Sequence, residues 1–229
     1  MQAKILEIFR SIQGEGKYAG VPQVFVRFFE CNMHCVWCDT PGSIGDTTRK
    51  YKDTTLDALL KEVDGLYAGC HSVSITGGEP LVQDDFLKEF LPALRKSGKT
   101  VYLDTNGTLP VALKKLIKDI DIIAMDLKLP SSTKQRAFWT EHREFLKIAV
   151  KKDVFIKTVV STTTDEAEIL KAAKLVAQVD PKMLFILQPN YLEMKKGLID
   201  QSVAWQKSCA KILKDVRILP QTHKFMKLR

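Results

Sequence analysis

The chain has 229 residues, of which 35 are lysine or arginine and 27 are aspartate or glutamate, so its formal net charge is +8. Hydrophobic residues make up 45% and charged residues 27%, which excludes a disordered or low-complexity chain. No apolar run approaches the ~18 residues of a membrane-spanning helix, and the N-terminus lacks the apolar core of a secretory signal. We therefore expect one large cytoplasmic domain with a lysine-rich solvated surface.

Short β-type runs alternate with stretches of helical period along the chain. The predicted strands are Ile5–Phe9, Val24–Phe29, Ser72–Thr76, Thr100–Asp104, Ile122–Leu127, Val154–Val160, Met183–Gln188 and Val216–Leu219, the first and last as flanking strands. Helices are predicted near residues 55–66, 84–97, 110–118, 140–150, 165–178 and 200–214. Thr54 with Asp57, and Thr164 before Asp165, are expected at helix N-termini, and Gly98 at a C-terminus.

This alternation predicts an α/β fold with a parallel sheet, because several strands are nearly continuous apolar runs. From the pattern alone, a doubly wound sheet and a (β/α) barrel both stay open. Either fold gathers its chemistry at the C-terminal ends of the strands. The polar segments 77–80, 104–107 and 126–128 fall there, as does a cysteine-rich segment after Val24–Phe29. We therefore expect these four segments to form one site.

Three of the five cysteines, Cys31, Cys35 and Cys38, follow a C-x3-C-x2-C pattern that can converge on a soft metal. A structural zinc site wants a fourth protein ligand, whereas a [4Fe–4S] cluster with three cysteines leaves one iron open. Spacing alone leaves a zinc knuckle, an iron–sulfur cluster and reduced thiols as alternatives. Cys70 and Cys209 are expected to be small buried hydrophobes.

The cysteine pattern, with Trp37 before its last member and Gly77-Gly78-Glu79-Pro80 after the next strand, resembles the signature of radical S-adenosylmethionine (SAM) enzymes. The resemblance implies a partial (β/α)6 TIM-like barrel with small N- and C-terminal extensions. It also implies a [4Fe–4S] cluster on the three cysteines, with SAM on the open iron as the source of a 5′-deoxyadenosyl radical. The implied SAM contacts are Trp37, Cys38, Asp39, Gly77, Gly78, Glu79, Asn106, Asp126, Leu127 and Lys128. Among them, Glu79 is expected to meet the SAM ammonium and Lys128 its carboxylate or ribose region.

Three further motifs narrow the resemblance: the SIQGEG run at 11–16, Arg27 four residues before the first cysteine, and Cys38-Asp39-Thr40. Together they resemble the 7-carboxy-7-deazaguanine synthase family. This implies a lyase that converts 6-carboxy-5,6,7,8-tetrahydropterin to 7-carboxy-7-deazaguanine and ammonia in 7-deazapurine (queuosine) biosynthesis. The implied substrate contacts are Ile12, Gln13, Gly14, Glu15, Arg27, Thr76 and Gln188. Glu15 and Arg27 are expected to act in catalysis and Thr40 to bind Mg²⁺.

The residue types suit these roles, although each has a plainer alternative. Arg27 is a bidentate partner for a substrate carboxylate, but it could instead pair with Glu7 or Glu30. The hydroxyl of Thr40 suits Mg²⁺, but it could cap a loop. His223 is a weaker candidate, because a lone histidine near a basic C-terminus is more often a surface or packing residue.

The resemblance implies a single radical SAM domain. Residues 1–22 would be a substrate-binding extension, 23–190 the partial barrel and 191–229 a C-terminal helix and tail. The expected partners are the pterin, an electron donor such as flavodoxin and a second copy in a homodimer, without membrane or nucleic acid. The polar segment 40–53 could cover the site or dock the reductant. Two other functions stay open: a glycyl-radical-enzyme activase, and a zinc or iron–sulfur module that binds RNA through its basic half.

Overall fold

Nine strands form one continuous sheet in the computed structural model, which describes residues 1–45 and 50–228, with the backbone alone at 195 and 196. Of the basic run after the cysteine loop, Arg49 lies outside the described residues. The strands are β1 (Gln2–Ile12), β2 (Pro22–Phe28), β3 (Lys52–Thr55), β4 (Ser72–Gly77), β5 (Val101–Thr105), β6 (Ile122–Asp126), β7 (Asp153–Val160), β8 (Phe185–Pro189) and β9 (Val216–Ile218). Their order across the sheet is β3-β1-β2-β4-β5-β6-β7-β8-β9.

Strand direction divides the sheet into two parts. β1 is antiparallel to both β2 and β3, whereas every pairing from β2 to β9 is parallel. The six predicted central strands are present as β2 and β4 to β8, with ends that move by one or two residues. The predicted partial barrel is confirmed. β3 was not predicted, since it is short and polar and depends on backbone pairing with β1 at Gln2–Ile5.

Helices follow the parallel strands and cover the outer face of the sheet. They are α1 (Leu56–Leu66), α2 (Asp84–Lys96), α3 (Pro110–Leu116), α4 (Pro130–Thr133), α5 (Trp139–Ala149), α6 (Glu166–Ala177), α7 (Ile199–Cys209) and α8 (Thr222–Met226). The six predicted helices are confirmed, although α7 ends five residues earlier than predicted, and the short helices α4 and α8 were not expected. None of the described helices is long and apolar enough to cross a membrane.

Two predicted helix caps are wrong by one residue. α1 is capped by Thr55, whose hydroxyl accepts a 3.4 Å hydrogen bond from the Ala58 N–H, while Thr54 belongs to β3. α6 is capped by Asp165 rather than by Thr164, whose hydroxyl accepts a 2.8 Å hydrogen bond from the Ser161 N–H of the same loop. In both pairs the chosen cap has extended backbone next to the first helical residue. Gly98 follows α2 with φ of 76°, the left-handed conformation expected of a glycine that ends a helix, as predicted.

The concave face of the sheet encloses an apolar floor. Its inward side chains near the N-terminal ends of the strands are Tyr102, Ile122, Ala124, Phe155, Leu184 and Ile186. Tyr18, in the loop after β1, packs on this floor. Its ring centroid lies 6.1 Å from that of Tyr102 and 6.4 Å from that of Phe155. Gly16 lies so close that a Cβ atom would be 2.3 Å from the Phe155 ring. The loop therefore fills the N-terminal end of the barrel, and the opposite end stays open.

The inward positions change character one step further along each strand. Because strand side chains alternate with a period of two, the next inward residues follow Tyr102, Ala124, Phe155 and Ile186 by two positions. These residues are polar: Asp104, Asp126, Lys157 and Gln188. The strand pattern thus brings a ring of polar groups to the C-terminal end of the barrel.

Candidate active site at the C-terminal ends of the strands

A cavity of about 600 Å³ opens at the C-terminal ends of the parallel strands. It is lined by the cysteine loop, the loop after β1, inward residues of the strands and the segment around α8. The predicted site residues that line it are Ile12, Gln13, Gly14, Glu15, Arg27, Cys31, Cys35, Trp37, Cys38, Asp39, Thr40, Thr76, Gly77, Gly78, Asn106, Asp126, Lys128 and Gln188. The fold therefore unites the predicted cluster, SAM and substrate residues in one space.

The three cysteines of the loop present free thiols to this cavity. Their sulfur atoms do not all lie within 4.8 Å of one another. Among the described residues, the ligand atoms of Glu15, Asp39 and His223 meet that limit. The cysteine sulfurs are thus more widely spread than a single zinc ion, with Zn–S bonds of about 2.3 Å, would hold them. A [4Fe–4S] cluster has no such limit, because each thiolate binds a different iron. Cys70 and Cys209 do not line the cavity.

Burial favours the neutral form of two of these thiols. Burial, followed by the negative charge of Glu79, raises the pKa of Cys31 to about 12. Burial also raises the pKa of Cys35. Thiols with a raised pKa give up their protons when they bind a metal cation, whose charge offsets the desolvation of the thiolate. The loop itself is held by a 3.2 Å hydrogen bond from the Val36 N–H to the Thr133 carbonyl.

One wall of the cavity combines a flat ring, a cation and a free acceptor. The Trp37 indole N–H donates a 2.9 Å hydrogen bond to Ser132 Oγ, which holds the ring in place. The Lys128 ammonium lies 4.7 Å from the centroid of that ring and donates to Asp126 Oδ2 at 2.8 Å. Asp126 Oδ1 is buried and has no hydrogen-bond partner among the described residues. SAM, which carries a flat base, a carboxylate and hydroxyl donors, fits this set of groups.

The side chains of two predicted SAM contacts do not line the cavity. The Glu79 carboxylate is fully buried and accepts hydrogen bonds from Leu81 N–H at 3.1 Å, Thr105 Oγ1 at 2.8 Å and Asn106 N–H at 2.7 Å. It does not line the cavity, and burial raises its pKa to about 7. The carboxylate of Glu79 therefore joins the loop after β4 to the loop after β5. Leu127 also points away from the cavity, into the apolar core.

The paired glycines are required by backbone packing as well as by any ligand. Gly77 has φ of 142°, and a Cβ atom there would lie 2.2 Å from the Phe28 carbonyl oxygen. A Cβ atom on Gly78 would lie 2.3 Å from the carbonyl oxygen of Glu30. Both glycines line the cavity. Their small size lets the end of β4 pack against the start of the cysteine loop.

Arg27 lies at the other side of the cavity, on β2. Its Nε donates a 2.7 Å hydrogen bond to Glu7 Oε1, so the ion pair considered from the sequence is present. Its guanidinium also lies 5.8 Å from the centroid of the Phe9 ring, which stacks on Phe25 with centroids 5.1 Å apart. Arg27 makes this bond to Glu7 through Nε, and its side chain also lines the cavity. Arg27 is therefore both ion-paired and placed at the cavity wall.

Glu15 belongs to a buried charge network that the sequence did not reveal. Its Oε2 is bound by the Lys157 ammonium, and its Oε1 accepts a 2.7 Å hydrogen bond from Gln221. Burial alone would raise the pKa of Glu15, but the charge and hydrogen bonds of Lys157 lower it to about 2. Lys157 also lies 3.3 Å from Asp104 Oδ1, and Thr76 Oγ1 donates to Asp104 Oδ2 at 3.4 Å. The available signal was a lysine in the middle of the apolar strand β7.

The C-terminal segment closes one side of the cavity. Gln221 donates to Asp39 Oδ2 at 3.3 Å, and Lys224 lies 3.5 Å from the same oxygen. A Cβ atom on Gly14 would be 2.1 Å from His223 Nδ1, so the packing requires glycine at position 14. The ligand atoms of Glu15, Asp39 and His223 lie close together, but both carboxylates are already paired with lysines. This trio therefore forms an ion-pair network at the cavity edge.

The remaining predicted residues differ in how freely they face the cavity. The Gln13 amide donates to Gln23 Oε1 at 2.9 Å and accepts from the Glu15 N–H at 3.1 Å, so it shapes its own loop. Thr40 lines the cavity, and its hydroxyl accepts a 3.3 Å hydrogen bond from Ser43 Oγ and lies 3.9 Å from the Cys38 sulfur. Gln188 is 1% exposed, and its Oε1 has no hydrogen-bond partner among the described residues. A ligand donor would satisfy this buried oxygen.

Comparison with known proteins agrees with this geometry. The model of the radical SAM superfamily matches residues 26–176. A 7-carboxy-7-deazaguanine synthase from Geobacter sulfurreducens is 39% identical over 246 aligned positions, which cover 98% of this chain and 97% of that protein. Another from Archaeoglobus fulgidus is 34% identical and is covered over its full length. The crystal structure of QueE from Escherichia coli shares the fold, with a TM-score of 0.67, 24% identity and coverage of 97% of this chain and 95% of that one. The chain therefore belongs to the radical SAM superfamily and, within it, to the 7-carboxy-7-deazaguanine synthase family.

Proposed function

We propose that the chain converts 6-carboxy-5,6,7,8-tetrahydropterin to 7-carboxy-7-deazaguanine, with release of ammonia. The observation that carries this proposal is the union, in one cavity, of a three-cysteine loop with Arg27, Glu15 and the free acceptor of Gln188. The substrate bears a carboxylate at one end and a row of N–H donors on its aminopyrimidine ring. An arginine and an ionised carboxylate are the matching partners for these two ends.

The cofactor end of the cavity is assigned to the cysteines and the tryptophan wall. Cys31, Cys35 and Cys38 would hold the [4Fe–4S] cluster through their thiolates. When bound, the cluster and SAM supply the 5′-deoxyadenosyl radical that removes a hydrogen atom from the substrate and later returns it. Trp37 and Lys128 orient SAM, and Asp126 Oδ1 takes one of its hydroxyl donors. The surrounding walls exclude water and oxygen from the reaction.

The substrate end is assigned to residues of the barrel mouth. Arg27 binds the substrate carboxylate, and Glu15, held as an anion, accepts a pair of N–H bonds from the aminopyrimidine ring. Gln188 Oε1 takes a further donor, and Thr76 contacts the ring from β4. The backbone at Ile12 and Gly14 borders the same edge, as does Gln13. These contacts orient the reacting carbon toward the cofactor.

A magnesium ion is assigned to the hydroxyl of Thr40. Thr40 follows the last cysteine by two residues and lines the cavity, and its hydroxyl oxygen, which accepts a 3.3 Å hydrogen bond from Ser43 Oγ, has a further lone pair for a cation. Hard Mg²⁺ takes few protein ligands and completes its shell with water and substrate oxygens. Thr40 would thus place the ion beside the substrate carboxylate during the ring contraction.

The same proposal covers the setting of the enzyme. It works as a single radical SAM domain in the cytoplasm, forms a homodimer and receives electrons from a donor such as flavodoxin. Lys134 and Arg136, the latter paired with Glu141, are exposed on either side of Gln135, which donates a hydrogen bond to the His34 carbonyl of the cysteine loop. A basic surface at this place suits an acidic electron carrier.

The test is an anaerobic assay of the reconstituted protein with SAM, a reductant, Mg²⁺ and the pterin, with the product followed by mass. We expect product from the wild-type chain, none from Cys35→Ala and much less from Arg27→Ala. Cys209→Ala is the matched control, because Cys209 lies in the core and not at the cavity. An iron-loaded protein that cleaves SAM but yields no deazapurine would disprove the proposed substrate.

A further inference from the structure

Lys157 is a buried cation at a position where a strand would ordinarily carry an apolar residue. It lies on β7 between the inward residues Phe155 and Val159, and its side chain is only 7% exposed. A buried ammonium is costly unless anions surround it. Its neighbours must therefore explain why the fold keeps a lysine here.

The ammonium meets two carboxylates from different parts of the fold. Glu15 comes from the loop after β1. Asp104 lies near the end of β5, and its Oδ1 is 3.3 Å from Lys157 Nζ. The other titratable groups that face this network are Asp126 on β6, Lys128 beyond it, Tyr102 on β5, His223 on α8, and Asp39, which forms a neutral pair with Lys224. Asp126 is paired with Lys128 at 2.8 Å. One positive and two negative charges therefore leave this part of the cavity with a net charge of about −1, since the Asp126–Lys128 pair is neutral.

This charge decides which end of a ligand is accepted. A second carboxylate placed here would face two anions, whereas N–H donors would find acceptors that are already ionised. Arg27 is the cation at the opposite wall and is suited to the carboxylate end. The arrangement therefore defines an orientation for a ligand with an anionic end and a donor-rich end.

We propose that Lys157 is a positioning residue that keeps Glu15 and Asp104 ionised and aimed into the cavity, so that the donor-rich ring edge binds there and the carboxylate binds at Arg27. This inference rests on the proposed pterin substrate. Lys157 acts through the two carboxylates, because its ammonium is ion-paired with both of them. Without it, the paired carboxylates would repel each other in a dry site, and one would take up a proton near neutral pH. A protonated Glu15 could no longer accept two N–H bonds.

The test compares two charge variants with a matched control. Lys157→Met removes the charge and keeps much of the volume, whereas Lys157→Arg keeps the charge. Lys99→Met is the control, since Lys99 is also buried and paired with a carboxylate, Asp64, but lies away from the cavity. The dissociation constants of the pterin and of SAM are measured anaerobically on the cluster-loaded protein between pH 6 and pH 8.5.

We expect Lys157→Met to weaken pterin binding by about tenfold or more at pH 6 and by less at pH 8.5. A tenfold change corresponds to the loss of one charge-assisted hydrogen bond. SAM binding should change by less than about twofold, Lys157→Arg should recover most of the pterin affinity, and Lys99→Met should resemble the wild type. Equal pterin affinity in Lys157→Met and wild type at every pH would overturn the inference, as would a loss that does not depend on pH.

A second readout separates this inference from the proposed function. Carbon-13 at the glutamate side-chain carboxyls, assigned by comparison with Glu15→Gln, reports the charge of Glu15 without any ligand. We expect Glu15 to stay ionised down to pH 5 in the wild type and to titrate above pH 5 in Lys157→Met. A wild-type chain that fails to bind the pterin but shows this difference would disprove the substrate and retain the charge role of Lys157. Identical Glu15 titration in both proteins would disprove the charge role itself.

Discussion

Gln221 donates a 2.7 Å hydrogen bond to the carboxylate of Glu15, although the two residues lie 206 positions apart. The backbone N–H of Thr222 reinforces the contact with a 2.9 Å bond to the Gly14 carbonyl. The two ends of the chain therefore meet at the cavity, and the C-terminal segment forms part of the candidate site.

This contact predicts a strong effect of a single methyl group at Gly14. In Gly14→Ala the new Cβ would overlap His223, so the C-terminal segment must move away from Glu15. We expect the KM for the pterin to rise by about tenfold, because a hydrogen bond to a charged group is lost. The affinity for SAM should change little. Gly65→Ala in α1 is the control, since nothing lies within 4 Å of its Cβ position. Unchanged kinetics in Gly14→Ala would show that the segment has no part in binding.

The buried Glu79 carboxyl predicts a pH-dependent stability. Its pKa rises from 4.5 to about 7 in the folded chain, so the folded state holds a proton that the unfolded state releases above pH 4.5. The free energy of unfolding should therefore fall as pH rises from about 4.5 to about 7, by an amount on the order of 3 kcal/mol. Chemical denaturation of wild type and Glu79→Gln across this range measures the difference. Parallel curves for the two proteins would show that Glu79 is not buried in this way.

The Trp37 indole is held by Ser132, and this predicts a coupled effect on SAM binding. Trp37→Phe keeps a flat ring but removes the N–H that Ser132 accepts. We expect a loss of SAM affinity of about 1 kcal/mol, roughly fivefold, in either Trp37→Phe or Ser132→Ala. The double variant should lose little more than either single one, because both break the same bond. Additive losses in equilibrium binding would contradict this arrangement.

The cysteines should fall into two groups by metal content. Alanine at Cys31, Cys35 or Cys38 is expected to abolish stable iron–sulfur incorporation, because each thiol faces the cavity. Cys70→Ala and Cys209→Ala should keep full iron and sulfide content, and Cys209→Ala should cost about 1 kcal/mol of stability as a small core truncation. Elemental analysis and thermal unfolding measure the two effects. Loss of iron in Cys209→Ala alone would contradict the assignment.

The parts of the site that the sequence predicted correctly are local in the chain. The cysteine loop and the paired glycines are short motifs, and each follows a strand, so the parallel topology brings them to one edge. The same local reasoning did not predict how the side chains of Glu79 and Leu127 are packed. Their motifs lie at the cavity, but packing turns Glu79 toward the loop after β5 and Leu127 into the core.

Lys157 and Gln221 show what local reasoning could not supply. Lys157 was an unusual lysine within an apolar strand, and its partner Glu15 lies 142 positions away. Gln221 carries no motif at all. Their roles follow from the curvature of the sheet and from the docking of the C-terminal segment, which no short window of sequence contains.

By itself, the sequence determined the alternation of strands and helices, the metal-binding loop and the edge of the sheet at which chemistry gathers, because periodicity and motif spacing act over a few residues. Only the tertiary structure decided which side chains face the cavity, which carboxylates share one ammonium and which glycines are required by a neighbouring backbone. These outcomes depend on burial and on contacts between distant segments. A charge such as that of Glu15 has its properties set by those contacts and not by its neighbours in the chain.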